Sequence, residues 1–375
     1  MNTDRRSFLK QGTLAALGFG VALKSTAGED YLPYHIPGNK GLLNLGANEN
    51  PYGISPKARQ AIVNMFEEAN RYQFNVASLQ SFEKDLAAYF KIAPEQVKIT
   101  AGSGEGLALL ARHFAGGNII AANPTFNILQ STARKIGTEV IEVPVTENKS
   151  VDLAKMLSAI NDKTKLVYVV NPNNPTGTVL NPDALKNFCD EASKKATVLI
   201  DEAYIDYVNA PNNKSLIDLP AKNENVIVMR TFSKIHAMAG LRLGFIVGHP
   251  KLIENLHKNL FTSTHFCVSN LTMAAAIASL GDENHRKQSK EKNEAARAFA
   301  IKSLAALGLH AIPSVTNFIF VPIPNYKGDF AQDMLAKSVL LRAGSSANEK
   351  WARISIGTQD EMQRFIPILK SAFAG

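Results

Sequence analysis

The sequence predicts an α/β fold: a large domain built on a mainly parallel sheet, followed by a smaller C-terminal α/β domain. Three observations carry this expectation. Short β-branched runs alternate with helical patterns through the middle of the chain, the pattern changes after about residue 280, and glycine-rich or polar motifs follow the apolar runs directly. Alternation of this kind builds a sheet covered by helices on both faces, and such sheets bind ligands beyond the carboxyl ends of their strands.

The N-terminus stands apart from this pattern. MNTDRRSFLK sets Arg5 and Arg6 ahead of Ser7, Phe8, Leu9 and Lys10, and the apolar stretch QGTLAALGFGVAL follows. That is the layout of a twin-arginine export signal. The stretch falls short of the ~20 apolar residues that cross a bilayer, and Gly12, Gly18 and Gly20 interrupt it. Ser25, Thr26 and Ala27 suit a signal peptidase, so the mature chain is expected to begin near Gly28, in the periplasm.

Residues 1–27 carry four Lys or Arg and one Asp, so their removal lowers the formal net charge from +8 to +5. The remaining excess is spread out, with no basic block to suggest nucleic acid. Two cysteines, Cys189 and Cys267, supply neither metal-ligand spacing nor a disulfide framework. With 45% hydrophobic residues, a large core does the stabilising. No membrane association is expected once the signal is gone.

The expected strands are VKIT (97–100), NIIAA (118–122), TEVIEV (138–143), KLVYVV (165–170), TVLID (197–201), NVIVMR (225–230) and GFIVG (244–248). Segments 104–115 and 181–195 lie between them, with apolar positions recurring at three and four as in a helix. The small domain is expected over 280–375: a long charged helix, then NFIFVPI, a further helix, ARISIG and a terminal helix. The large domain then spans 46–279, and residues 28–45 form an arm packed with the small domain.

The polar motifs fall where ligands should sit. AGSGEG follows VKIT and opens a helix, so Ser103, Gly104 and Glu105 can present backbone amides to an anion. NPNNPTG (171–177) follows KLVYVV, DEAYIDY (201–207) follows TVLI, and TFSKIHAMAGLRLGF (231–245) follows NVIVMR. Singly, each is more often simply a turn, a loop or a helix cap. Together they assemble an anion nest, a loop asparagine, a strand-end aspartate, and a lysine flanked by hydroxyls with an arginine beyond it. Those are the parts needed to hold pyridoxal 5′-phosphate.

On NENPYG (48–53), RY (71–72), AGSGEG, NPNNPTG, DEAY, TFSKIHAMAGLRLGF and ARISIG (352–357), the chain resembles the fold-type I, class I/II aminotransferases that use pyridoxal phosphate. Within them it is most similar to histidinol-phosphate aminotransferases. The resemblance implies that the Lys234 amine bonds the cofactor aldehyde and then carries a proton at the substrate Cα. It implies that Asp201 keeps the pyridine nitrogen protonated, that Asn174 and Tyr204 hydrogen-bond the ring's phenolic oxygen, and that Phe126 stacks on the ring. The phosphate falls to the AGSGEG backbone, Thr231, Ser233 and Arg242. Tyr72 reaches the same phosphate from a neighbouring subunit, which requires a homodimer. Arg353 grips the substrate carboxylate, Arg342 lies near its distal group, and Asn50 joins them at the substrate. His236 and Cys189 are expected to be core residues, and Ala237, where the family often has glycine, to be of little consequence.

The implied reaction moves an amino group from an L-amino acid or histidinol phosphate to a 2-oxo acid such as 2-oxoglutarate. A decarboxylase, lyase or racemase on the same scaffold, such as the related threonine-phosphate decarboxylases, would use the same lysine. A periplasmic solute-binding protein would also be an exported two-domain α/β chain, but would have no reason to gather Lys234, Asp201 and Arg242. Histidine synthesis belongs with cytoplasmic metabolites, so the export signal favours ordinary L-amino acids as donors.

Overall fold

The computed structural model of the chain describes residues 41–72, 76–212, 214–259, 267–346 and 349–373. The export signal and most of the N-terminal arm lie outside them. Residues Leu42–Gly375 form one compact unit. Its principal sheet has seven strands in the order β2-β8-β7-β6-β5-β3-β4. These are β2 Val97–Thr100, β3 Asn118–Asn123, β4 Glu139–Pro144, β5 Thr164–Val170, β6 Thr197–Asp201, β7 Val226–Thr231 and β8 Gly244–Val247. Each coincides with a strand expected from the sequence to within about one residue. Only β8 runs against its neighbours, pairing antiparallel with both β2 and β7.

Helices on both faces explain why these strands are apolar without alternation. Along β7, Val226 and Val228 enter one core while Ile227 and Met229 enter the other. Likewise, Val167 and Val169 of β5 point one way and Leu166, Tyr168 and Val170 the other. Helix Ser103–His113 follows β2, and helix Pro182–Ala192 follows β5 with Asn181 as its cap, accepting from the amides of Asp183 and Ala184. Cys189 is fully buried in this second helix.

A three-stranded antiparallel sheet, in the order β11-β12-β9, lies further along the chain. It comprises β9 Phe318–Pro322, β11 Arg342–Ser346 and β12 Glu349–Ser355. The expected charged helix is Glu283–Ala306, capped by Asp282, and its buried residues Ser289, Asn293, Ala296, Ala300 and Leu304 mark one face. That face and the terminal helix Gln359–Phe373 enclose a separate core around Ile319, Val321 and Phe365. Leu43 and Leu45 join this core, and β1 (Leu43–Asn44) pairs in parallel with β10 (Val339–Leu340). The described chain thus starts beside β10 in the core of the smaller domain, then builds the seven-stranded sheet, and finally returns. That path carries residues 46–48 past the carboxyl ends of the large sheet.

Candidate active site

A cavity of about 750 Å³ opens at those carboxyl ends. Of the residues expected in the site, Ser103, Phe126, Asn174, Asp201, Tyr204, Lys234, Arg342 and Arg353 line it. They arrive from the ends of β2, β3, β5, β6 and β7 and from the β11–β12 hairpin. The cavity sits where the chain order reverses between β3 and β5, the place at which doubly wound sheets bind ligands.

At one end lies an anion cradle. Gly102 caps helix Ser103–His113 with φ 84° and brings no side chain to its amides, which leaves the first-turn N–H groups for a ligand. A Cβ on Gly102 would fall 2.4 Å from the Arg242 guanidinium, so only glycine lets that arginine lie against the helix start. Gly244 serves the same approach, since a Cβ there would stand 2.6 Å from the Ser103 nitrogen. Arg242 has φ 55° and donates to the Ala239 carbonyl at 2.7 Å. Beside it, Thr231 donates to the Ser233 hydroxyl at 3.0 Å and accepts from the Ser233 amide at 3.1 Å. The Glu105 carboxylate accepts from the Ala101 amide at 2.6 Å and closes the turn. Gly104, Glu105, Thr231, Ser233 and Arg242 therefore border the cavity without lining it.

At the sheet end of the cavity, Asp201 is 1% exposed. Tyr168 donates to its Oδ2 at 3.1 Å and the Ala203 amide to its Oδ1 at 3.1 Å. Burial pushes its carboxyl up to about 6, against the opposing pull of those two donors. Lys234 is half-buried, with Nζ 3.2 Å from the carbonyl oxygens of both Ala47 and Asn48. The same Nζ stands 5.6 Å from the centre of the Tyr204 ring.

The opposite wall comes from the hairpin, where Arg342 and Arg353 are directly paired across the ladder. Arg353 donates to Asn174 Oδ1 at 2.8 Å and to the Gly46 carbonyl, yet its buried Nε has no partner among the described residues. Burial holds its pKa below the ordinary value, with Arg342 adding to the effect. Arg342 itself is exposed. Trp351, which the motifs did not point to, lines the same wall. Lys149 ties the hairpin tip to the large sheet through Glu349 at 2.5 Å.

Two expected residues stand elsewhere. Asn50 donates to the Ile235 carbonyl at 3.0 Å and lines a second hollow behind the Lys234 loop. Tyr72 is 77% exposed and does not line the cavity. His236 is a packed ring as expected: it lies 4.7 Å from Phe232, bonds the Ser279 hydroxyl at 2.8 Å, and burial pushes its pKa down to about 3. Ala237 corrects the expectation of little consequence. Its φ of 57° is the left-handed conformation that costs a residue with a Cβ about 1–2 kcal/mol.

The residues fit pyridoxal 5′-phosphate. The first-turn amides after Gly102, with Arg242, match its phosphate, the buried Asp201 matches its pyridine nitrogen, and the Lys234 amine matches its aldehyde. Fold and site together define a fold-type I enzyme dependent on this cofactor.

Comparison with known proteins supplies the family. The chain belongs to the class I and II aminotransferases, whose family model matches residues 40–369. It is 37% identical over 349 residues to a histidinol-phosphate aminotransferase of Moorella thermoacetica, covering 90% of this chain and 87% of that one. It is 33% identical to an aromatic amino acid aminotransferase of Mycolicibacterium paratuberculosis, over 88% of this chain and 92% of the relative. The fold matches histidinol-phosphate aminotransferase of Sinorhizobium meliloti, solved with pyridoxal-5′-phosphate, at a TM-score of 0.80 and 24% identity over 94% and 99% of the two chains. The protein is thus a pyridoxal-phosphate-dependent aminotransferase.

Proposed function

We propose that this enzyme transfers an amino group from an L-amino acid with a planar side chain, or from histidinol phosphate, to a 2-oxo acid such as 2-oxoglutarate. We further propose that it acts in the periplasm after twin-arginine export. The observation that carries the substrate reading is Arg353, a part-buried guanidinium that lines the cavity Lys234 enters and whose Nε has no partner among the described residues. A carboxylate is the ligand that such a fork matches. Trp351, on the same wall as Arg353, gives the substrate side of the cavity a flat apolar face, which suits the ring of an aromatic donor or an imidazole. The two reported relatives act by name on one or the other.

In this reading the first-turn amides of the Ser103 helix, with Thr231, Ser233 and Arg242, would hold the cofactor's phosphate. The cofactor, when bound, supplies an electron sink for the bond broken at the substrate Cα. Asp201 holds a proton on the pyridine nitrogen. Lys234 Nζ takes the proton from the substrate Cα and later returns one. Asn174 orients Tyr204 while receiving Arg353. Residues 46–279 then serve as the cofactor-binding domain and residues 280–375, with the arm, as the substrate-gripping one.

A donor panel with 2-oxoglutarate tests the proposal on the chain lacking residues 1–27. Arg353→Ala should weaken every amino-acid donor by about 1.5–3 kcal/mol, the worth of a charge-assisted pair. Arg342→Ala should affect only donors with an acidic distal group. Histidinol phosphate proving the best donor by a wide margin, with Arg342→Ala damaging it most, would reverse the inference from location to substrate. Release of carbon dioxide or racemised donor as the main product would replace transamination by the other reactions of this scaffold. Changing both Arg5 and Arg6 to lysine should retain the enzyme in the cytoplasm; unchanged fractionation would remove the export claim.

A further inference from the structure

Asn48 is 1% exposed and has φ 53°, a conformation asparagine tolerates better than most side chains. It bonds three parts of the site. Its Nδ2 donates to the Tyr204 hydroxyl at 2.9 Å. Its Oδ1 accepts from the Ser355 hydroxyl at 2.9 Å, and its amide donates to the same hydroxyl at 2.8 Å. Its carbonyl accepts from Lys234 Nζ at 3.2 Å and from Asn317 Nδ2 at 3.0 Å.

The direction of each bond is set by groups that can only donate. The Asn48 amide must donate to Ser355 Oγ, so that hydroxyl gives its own proton to Asn48 Oδ1, and the Nδ2 end is left facing Tyr204. Arg353 is likewise only a donor. It claims Asn174 Oδ1, so Asn174 also turns its Nδ2 to Tyr204, at 3.4 Å. The Tyr204 oxygen therefore accepts twice, and its proton remains to be given to a third group. Tyr204 lines the cavity, where that group is the ligand.

We infer that Asn48 is a positioning residue for the reaction: with Ser355, it fixes Tyr204 as a hydrogen-bond donor towards the cofactor. The inference rests on the reading that Tyr204 meets the cofactor ring. It makes strand β12 contribute twice, through Arg353 to the substrate and through Ser355 to the cofactor's surroundings. The span of 307 residues between Asn48 and Ser355 also couples the first crossing segment to the last strand.

Asn48→Gly tests this, because glycine accepts the backbone conformation and keeps the carbonyl that meets Lys234 while deleting the side chain. Two quantities are read: the equilibrium dissociation constant of cofactor from the apoprotein, and the pH midpoint of the bound cofactor's visible absorbance. Asn48→Gly should raise the dissociation constant about three- to tenfold, as for one lost hydrogen bond, and should move the midpoint. Ser355→Ala should act in the same direction and less strongly. In a Tyr204→Phe background, Asn48→Gly should have no further effect on either quantity. Equal effects of Asn48→Gly with and without the tyrosine hydroxyl, or none in either background, would overturn the inference. If Tyr204→Phe itself leaves both quantities unchanged, the reading of Tyr204 fails as well, and the two failures are thereby told apart. Urea unfolding of each apoprotein separates these effects from a general loss of stability.

Discussion

Asp201 shows what a functional side chain costs the fold. Its carboxyl, normally near 3.8, is raised to about 6 chiefly by burial. Between those two values the native state binds more protons than the unfolded state, so the group's contribution to stability falls as pH rises through about 6. Above that pH the apoprotein holds a buried anion whose compensating cation belongs to the ligand. Asp201→Asn keeps the acceptor for Ala203 and a partner for Tyr168 while removing the charge. The apoprotein variant should therefore be more stable than wild type at neutral pH, by on the order of 1–3 kcal/mol, with the gain vanishing near pH 4. Chemical denaturation at the two pH values measures this, and the variant's turnover should collapse. Ala237 carries a different cost, a left-handed backbone in the turn between Lys234 and Arg242. Ala237→Gly should stabilise the protein by about 1 kcal/mol in the same assay; a loss of stability would show that Ala237's methyl group packs more favourably than its backbone is strained.

At the scale of elements, the ends of β6 and β7 are clasped from behind. Arg230 makes two bonds to Asp206, at 2.9 and 3.0 Å, and one to Glu202 at 3.3 Å, with Ser215 and the Leu216 amide completing the Glu202 carboxylate. Asp201 and Glu202 are neighbours, as are Arg230 and Thr231, so the period of a strand sends one of each pair to the ligand and the other to the clasp. Arg230→Met should cost about 3 kcal/mol, because it strands the buried Glu202 carboxylate and removes the partner of the half-buried Asp206, and the loss should shrink on acidification as they protonate. A loss that does not change with pH would mean that packing against Phe90, 5.3 Å away, is what Arg230 contributes. The strands themselves were legible because β-branched runs buried on two faces have few alternatives, and the Lys234, Asp201 and Asn174 motifs because they sit immediately after such runs. Asn48, Ser355, Tyr168 and the Arg230 clasp were not legible. Each acts through partners on other strands or loops, and a lone Asn, Ser or Tyr has no local pattern that distinguishes it from a turn or core residue.

The whole molecule raises the question of assembly, which Tyr72 makes concrete. The family resemblance implies that it reaches the cofactor phosphate of a neighbouring subunit, and it is 77% exposed and absent from the walls of its own chain's cavity. Val63 and Phe66, nine and six residues before it in the chain, are 50% and 55% exposed. Exposed apolar residues of this kind are what an isologous contact would cover, and a two-fold axis would send each Tyr72 to the other chain's cavity. The proposed active species is therefore a symmetric dimer with two shared sites, and subunit mixing decides the matter. A dimer of one Lys234→Ala chain and one Tyr72→Ala chain contains one doubly damaged site and one site with both residues intact. If each homodimer is inactive, random exchange should return about a quarter of the wild-type activity, since half of the dimers are mixed and each has one working site. Restoration at that level, rising with the extent of exchange, places Tyr72 in the partner's site. Confirmed exchange without restoration would confine each site to its own chain.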